Sequence, residues 1–192
     1  MNHLIVYTHP NPESFNHAIM EACALELEAT GNEVRIRDLY GIGFDPVIKQ
    51  SDYNMIARSE MPEDIRTEQE HILWADVITF IFPIFWAGLP AMLKGYIDKV
   101  FSLGFAYTFE KGRPKGLLKG KRVVIINTTG GSLKLYRSSG MFESIRQTIG
   151  GGIFRFCAME VVEHRFFTGV STSTEDDRRM MLEEVRNIAR LL

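Results

Sequence analysis

Cysteine is scarce, neither sign of charge is in surplus, and no apolar run is long. Cys23 and Cys157 are the two cysteines in 192 residues, and neither stands in a C-x-x-C or Cys/His metal spacing. That excludes a disulfide framework and a metal cluster as organising devices, and both thiols are expected in the core. Lys plus Arg number 22 against 24 Asp plus Glu, a formal net charge of -2. Such a balance provides no electrostatic footprint for nucleic acid and no strong acidic field for a basic partner. No apolar stretch approaches the ~20 residues that span a bilayer, and no basic region precedes the short apolar run near Met1. The expectation is a cytoplasmic protein that is not membrane-embedded.

What is present is enough apolar material for a sizeable core. The chain is 45% hydrophobic and 24% charged, and its length suits a single domain over residues 1–192. Short apolar runs alternate with helical patterns. "LIVY" (4–7), "EVRIRDL" (33–39), "DVITFIFP" (76–83), "RVVIINTT" (122–129) and "IFRFCAMEVV" (153–162) read as strands. Helices are expected over 15–31, 62–75, 89–104, 140–149 and 174–192. The first would present Ile19, Ala22, Cys23, Leu25 and Leu27 along one stripe, and Thr174 with Asp177 is a fair N-cap arrangement for the last. A long polar connection, 43–64, reads as a functional flap. Five strands alternating with helices imply a parallel sheet covered on both faces, with ligands at the carboxyl ends of the strands.

Three loops at those ends carry the chemistry. "THPNPESFN" (8–16) leads into the first helix without a single glycine. A helix N-terminus is an anion site, and Ser14, Asn16 and His9 add side-chain donors. Glycine-rich loops let the backbone approach a pyrophosphate, so the lack of glycine favours a terminal phosphate and a mononucleotide. Taken alone, the same loop reads first as a capped helix start, with Asn16 in the first turn, and only second as a phosphate site. "PIFWAG" (83–88) puts Phe85 and Trp86 beyond the end of a buried strand, where something flat or a partner subunit is expected to cover them. The helix that follows is apolar at Leu89, Met92, Leu93, Tyr96, Ile97, Val100 and Phe101, more than one stripe requires, which suggests a dimer interface. "TTGGSLKLY" (128–136) offers two threonine hydroxyls and paired glycines whose N–H groups can approach a ligand closely.

Together "HPNPESFNHA", "FPIFWAGLPAMLKGYIDKVF", "GFAYTF", "TTGGSLKLY" and "RFCAMEVVE" resemble the flavin-dependent NAD(P)H:quinone oxidoreductases of the DT-diaphorase type, over essentially the whole chain. The resemblance implies a flavodoxin-like sandwich with sheet order 2-1-3-4-5, a homodimer, and ping-pong hydride transfer from NAD(P)H to flavin and then to a quinone. By that likeness His9, Ser14, Phe15, Asn16 and Ala18 hold the flavin phosphate side, and Pro83, Ile84, Phe85, Trp86 and Ala87 line the isoalloxazine. Thr128, Thr129, Gly130, Gly131 and Tyr136 meet its pyrimidine edge, with Tyr136 as the catalytic donor. Trp86 and, from the other subunit, Tyr107 and Phe109 would line the substrate pocket, and Arg178 would reach the cofactor. The chain resembles the compact bacterial members, for which FMN is expected, with FAD the alternative. One departure stands out: Phe142 occupies the place where the animal enzymes carry a histidine partnering the tyrosine. Two other functions share this pattern, a regulatory subunit of a potassium-efflux transporter and a flavodoxin-like electron carrier.

Overall fold

The computed structural model describes residues 1–58 and 60–192. In chain order the elements are β1 (Asn2–Tyr7), α1 (Phe15–Ala29), β2 (Glu33–Asp38), α2 (Gln50–Ala57), α3 (Glu63–Trp74), β3 (Val77–Pro83) and α4 (Ala91–Val100). Then come β4 (Tyr107–Glu110), β5 (Arg113–Gly116), β6 (Arg122–Thr128), α5 (Leu133–Ser138), α6 (Met141–Ile145), β7 (Glu160–Phe167) and α7 (Glu175–Arg190). Strands β2-β1-β3-β6-β7 pair in parallel in that spatial order. Counted within the sheet this is 2-1-3-4-5, the flavodoxin-like arrangement, and β4 with β5 forms a separate antiparallel hairpin.

The central strands are apolar because both of their faces are covered. Every residue of β3 is buried. On one face Ile5, Tyr7, Ile81 and Val124 meet α1 and α7 through Ile19, Cys23, Leu27 and Val185. On the other Leu4, Phe80 and Ile125 meet α3, α4 and the segment after α6 through Ile72, Tyr96, Val100 and Phe154. Both cysteines are buried free thiols. Among the described residues no helix is long and apolar enough to cross a membrane.

Several expectations need correction. The last strand is not 153–162 but Glu160–Phe167. Ile149, Ile153, Phe154 and Cys157 instead follow helical spacing, and α6 runs on into a wide helix, Arg146–Arg155, that carries them into the core. Ala158, with φ of 65°, turns the chain out of that helix and into β7. Leu25 is 67% exposed, off the buried stripe of α1. The apolar surplus of α4 is consumed within the chain, because Leu93, Tyr96, Ile97, Val100 and Phe101 are buried and Leu89 and Met92 pack on the same cluster. The polar connection holds helix α2 and is strapped down: Lys99 Nζ donates to Asp45 O at 3.1 Å and Asp64 Oδ2 at 2.8 Å. Gly95 lets Pro46 lie on α4, since a Cβ there would overlap its backbone. Ser59, within that connection, lies outside the described residues.

Candidate active site

The loops after β1, β3 and β6 meet at one residue. Thr128, the last of β6, accepts Asn16 Nδ2 on its hydroxyl oxygen at 2.8 Å, and its carbonyl accepts the Ile84 N–H at 2.8 Å. The first turn of α1 and the end of β3 are therefore fixed relative to β6. One residue on, Thr129 N–H donates to Phe167 O at 2.9 Å and the Thr129 hydroxyl donates to Gly131 O at 2.9 Å. Both threonine hydroxyls thus brace the loops, and both residues are buried. Thr128 as the junction is a role that spacing along the chain did not reveal, because its partners lie 112 and 44 positions away.

At the α1 end Ser14 caps the helix, its Oγ accepting the His17 N–H at 3.2 Å and lying 3.3 Å from the Tyr7 hydroxyl. The capped-start reading and the anion-site reading are compatible, because Phe15 and Asn16 occupy first-turn positions whose N–H groups have no intrahelical partner. Asn16 is buried and its Oδ1 has no partner among the described residues. His9 Nδ1 lies 3.1 Å from both the N–H and the carbonyl oxygen of Asn11, which holds the imidazole against the loop. Ala18 sits in the same turn, half-buried, donating its N–H to Ser14 O. Arg178 of α7 approaches from the loop after β7. Its Nε donates to Ser173 Oγ at 3.0 Å and its guanidinium carbon stands 5.8 Å from the Phe15 ring.

Beyond buried Pro83 and Ile84 the chain makes a two-residue turn, closed by reciprocal backbone hydrogen bonds between Phe85 and Gly88. Trp86 and Ala87 both take left-handed conformations, φ 49° and 60°. Neither is glycine, and each such residue costs on the order of 1 kcal/mol or more. Trp86 is 103% exposed and Phe85 48% exposed. The strained turn thus holds a fully exposed indole at the end of a buried strand.

The third wall is Gly130, Gly131 and Tyr136 at the start of α5, a short helix that the sequence reading passed over. The Tyr136 ring lies close over Gly131, and a Cβ there would come within 2.7 Å of Tyr136 Cε2 and push the ring aside. The Tyr136 ring packs on Phe142 at 5.2 Å, and Phe142 on Phe166 at 4.8 Å. Tyr107 and Phe109 go elsewhere within the chain. They lie on hairpin β4–β5, 6.1 Å apart, with Tyr107 also against Phe156 and Phe109 60% exposed. Lys111-Gly112, both at positive φ, was the unread hairpin signal.

The sheet order, reversing between β1 and β3, defines a doubly wound α/β protein, a class that takes ligands at the carboxyl ends of its strands. A family described as having a flavodoxin-like fold matches residues 1–191. The chain belongs to the flavodoxin-like NAD(P)H oxidoreductase family. It is 38% identical over 184 residues to a Haemophilus influenzae protein named as an uncharacterized NAD(P)H oxidoreductase, covering 95% of this chain and 91% of that one. It is 34% identical over 199 residues to NAD(P)H dehydrogenase (quinone) 1 of Cavia porcellus, covering 93% and 72%. The solved NAD(P)H:quinone oxidoreductase of Methanothermobacter marburgensis matches with a TM-score of 0.89 at 27% identity, covering 99% and 98%.

Proposed function

We propose that this chain is a flavoenzyme that takes a hydride from NAD(P)H and passes it to a quinone in two alternating half-reactions, with FMN as the flavin. The observation that carries the reading is Thr128, which joins the α1 N-terminus to the β3 turn and begins the Gly130–Gly131 loop. Those three walls fit a mononucleotide. Unpartnered N–H groups at Phe15 and Asn16, with Ser14 and the His9 imidazole, suit a single phosphate. The orphaned Asn16 Oδ1 suits a polyol hydroxyl. Pro83, Ile84, Phe85, Trp86 and Ala87 provide the flat apolar wall. Relatives named as quinone dehydrogenases and NAD(P)H oxidoreductases support the same substrates.

Bound there, FMN would supply the ring that accepts and releases the hydride. The protein's part is positioning and charge. Backbone N–H groups at Gly130 and Gly131 and the Tyr136 hydroxyl are donors for negative charge at the ring's polar edge. Phe142 exchanges no proton, so Tyr136 works with solvent in place of a side-chain relay. A second copy of the chain would complete the pocket by bringing Tyr107 and exposed Phe109 over Trp86, which makes the hairpin, and not α4, the basis of the homodimer.

The test is direct. FMN added to the purified protein under anaerobic conditions should bind, and NADPH or NADH should then bleach it, with quinone restoring the colour. Protein that binds no flavin, or flavin bleached only when a separate reductase is present, would overturn the assignment. Asn16→Ala should weaken FMN binding more than Ser14→Ala does at equal loss of folding stability. The Ser14 hydroxyl is already engaged as a cap, whereas Asn16 Oδ1 is free.

A further inference from the structure

Two hydroxyls meet under the first turn of α1, and the direction of the hydrogen bond between them sets what the cap serine can hold. Tyr7, the last residue of β1, is 1% exposed, with its ring among Ile5, Ile19 and Cys23 on the α1 side of the sheet. Its hydroxyl lies 3.3 Å from Ser14 Oγ. Ser14 is half-buried, and the same oxygen accepts the His17 N–H at 3.2 Å as the N-cap. The His17 ring stands edge-on to Tyr7 with centroids 5.6 Å apart, which fixes the phenol from a second side.

Burial chooses between the two directions. A hydroxyl has one proton and two lone pairs. If Ser14 donated to Tyr7, the phenolic proton would sit beneath the helix with no acceptor among the described residues, at the desolvation cost of an unmade hydrogen bond. A phenol is also the more acidic of the two hydroxyls and hence the better donor. Burial, opposed by the Ser14 hydrogen bond and helped by Asp38, raises Tyr7 above its ordinary value, so the phenol keeps its proton at neutrality. Tyr7 therefore donates. Both lone pairs of Ser14 Oγ are then taken, one by the Tyr7 O–H and one by the His17 N–H, and the Ser14 proton is the one valence of that oxygen still free.

We propose that Tyr7 is a positioning residue for the flavin phosphate: by donating to Ser14 Oγ it makes the cap serine an outward donor, in a relay from phenol to serine hydroxyl to phosphate oxygen. The inference rests on the FMN reading above. A phosphate monoester dianion offers acceptors alone, so a serine presenting a lone pair repels it and a serine presenting its proton holds it. Each donor in such a chain polarises the next. At 3.3 Å the phenol contact is long for two hydroxyls, so its share is orientation first and a small energetic gain second. The role concerns the phosphate only, and a flavin without one should not register it.

Quenching of flavin fluorescence by the whole chain gives dissociation constants for FMN and for riboflavin, which has the same ring and ribityl chain and no phosphate. Tyr7→Phe keeps the aromatic ring and its packing. FMN affinity should fall by about threefold, the scale of one weak hydrogen bond, and riboflavin affinity should not change. Ser14→Ala should also weaken FMN, and adding Tyr7→Phe to it should change nothing further, because the relay is already cut. Equal losses for FMN and riboflavin would make Tyr7 a packing residue and overturn the proposal. So would an FMN affinity that is unchanged in Tyr7→Phe, one that is tighter because Ser14 had been donating to Tyr7, or a loss that persists in the Ser14→Ala background. A parent chain that binds neither flavin overturns the assignment of the cleft and this inference together. A parent that binds FMN and fails the Tyr7 comparison overturns this inference alone.

Discussion

Tyr136 has a phenyl ring beside it where a proton-exchanging partner would be useful. Phe142 packs on it at 5.2 Å with the rings tilted, and Gly131 leaves the room for its ring, so the side chain is held by packing alone. Tyr136→Phe therefore keeps the packing and deletes only the donor. Flavin reduction followed by stopped-flow absorbance should slow by a factor equivalent to about 1–3 kcal/mol, with FMN affinity retained. An unchanged rate would show the hydroxyl to be idle. Residue types and spacing exposed much of this site: Ser14 as a cap, the exposed Trp86, the glycine pair. They did not expose that the Thr128 and Thr129 hydroxyls are spent on Asn16 and on Gly131 O, because each partner is chosen by the folded chain.

At the scale of an element, the turn after β3 stores strain in two residues that are not glycine. Ala87→Gly relieves the left-handed cost at φ 60° and adds unfolded-chain entropy of about 0.5–1 kcal/mol, which offsets part of it. The expected outcome is unfolding stability unchanged or raised by about 1 kcal/mol in urea titrations, together with weaker FMN binding as the turn loosens. A clear loss of stability would mean that the alanine methyl is packed. The wide helix after α6 teaches a related lesson. "IFRFCAMEVV" has the composition of a strand, yet Phe154 and Cys157 reach the core from a helix, and short apolar runs do not distinguish the two. By contrast α7 was legible, and Thr174 and Asp177 form the reciprocal capping box expected of them.

At the scale of the whole molecule, two buried histidines make folding sensitive to acid. His3 is fully buried, with Nε2 2.9 Å from Thr79 Oγ1, and burial, then Arg122 and the N-terminal charge, push it down to about 4. The unfolded chain takes up this proton below about 6.5, which the folded chain resists until about 4. Stability is thus complete above pH 6.5 and is lost as pH falls toward 4, by about 3 kcal/mol for His3. His164 acts in the same direction. Unfolding free energies from urea titrations at pH 7.5 and pH 5 should differ by about 2 kcal/mol from His3 alone, and His3→Gln should remove that part. Equal losses in variant and parent would place the acid sensitivity elsewhere.

The sequence by itself determined the class of fold and the three loops that matter. Continuous apolar strands separated by helical patterns can satisfy their backbone and bury both faces only as a covered parallel sheet, and such sheets take ligands at their strand ends. It also showed that the first loop lacks glycine, which favours side-chain donors for a lone phosphate. What only the tertiary structure decided was where long-range partners fall. The apolar face of α4 turned inward because Phe44, Phe80 and Phe154 come from distant segments to cover it. Asn16 and Ile84 were tied to Thr128. Local pattern sets periodicity and capping over a few residues. Contacts between residues dozens of positions apart depend on which strands become neighbours, and that is settled only when the sheet closes into one order.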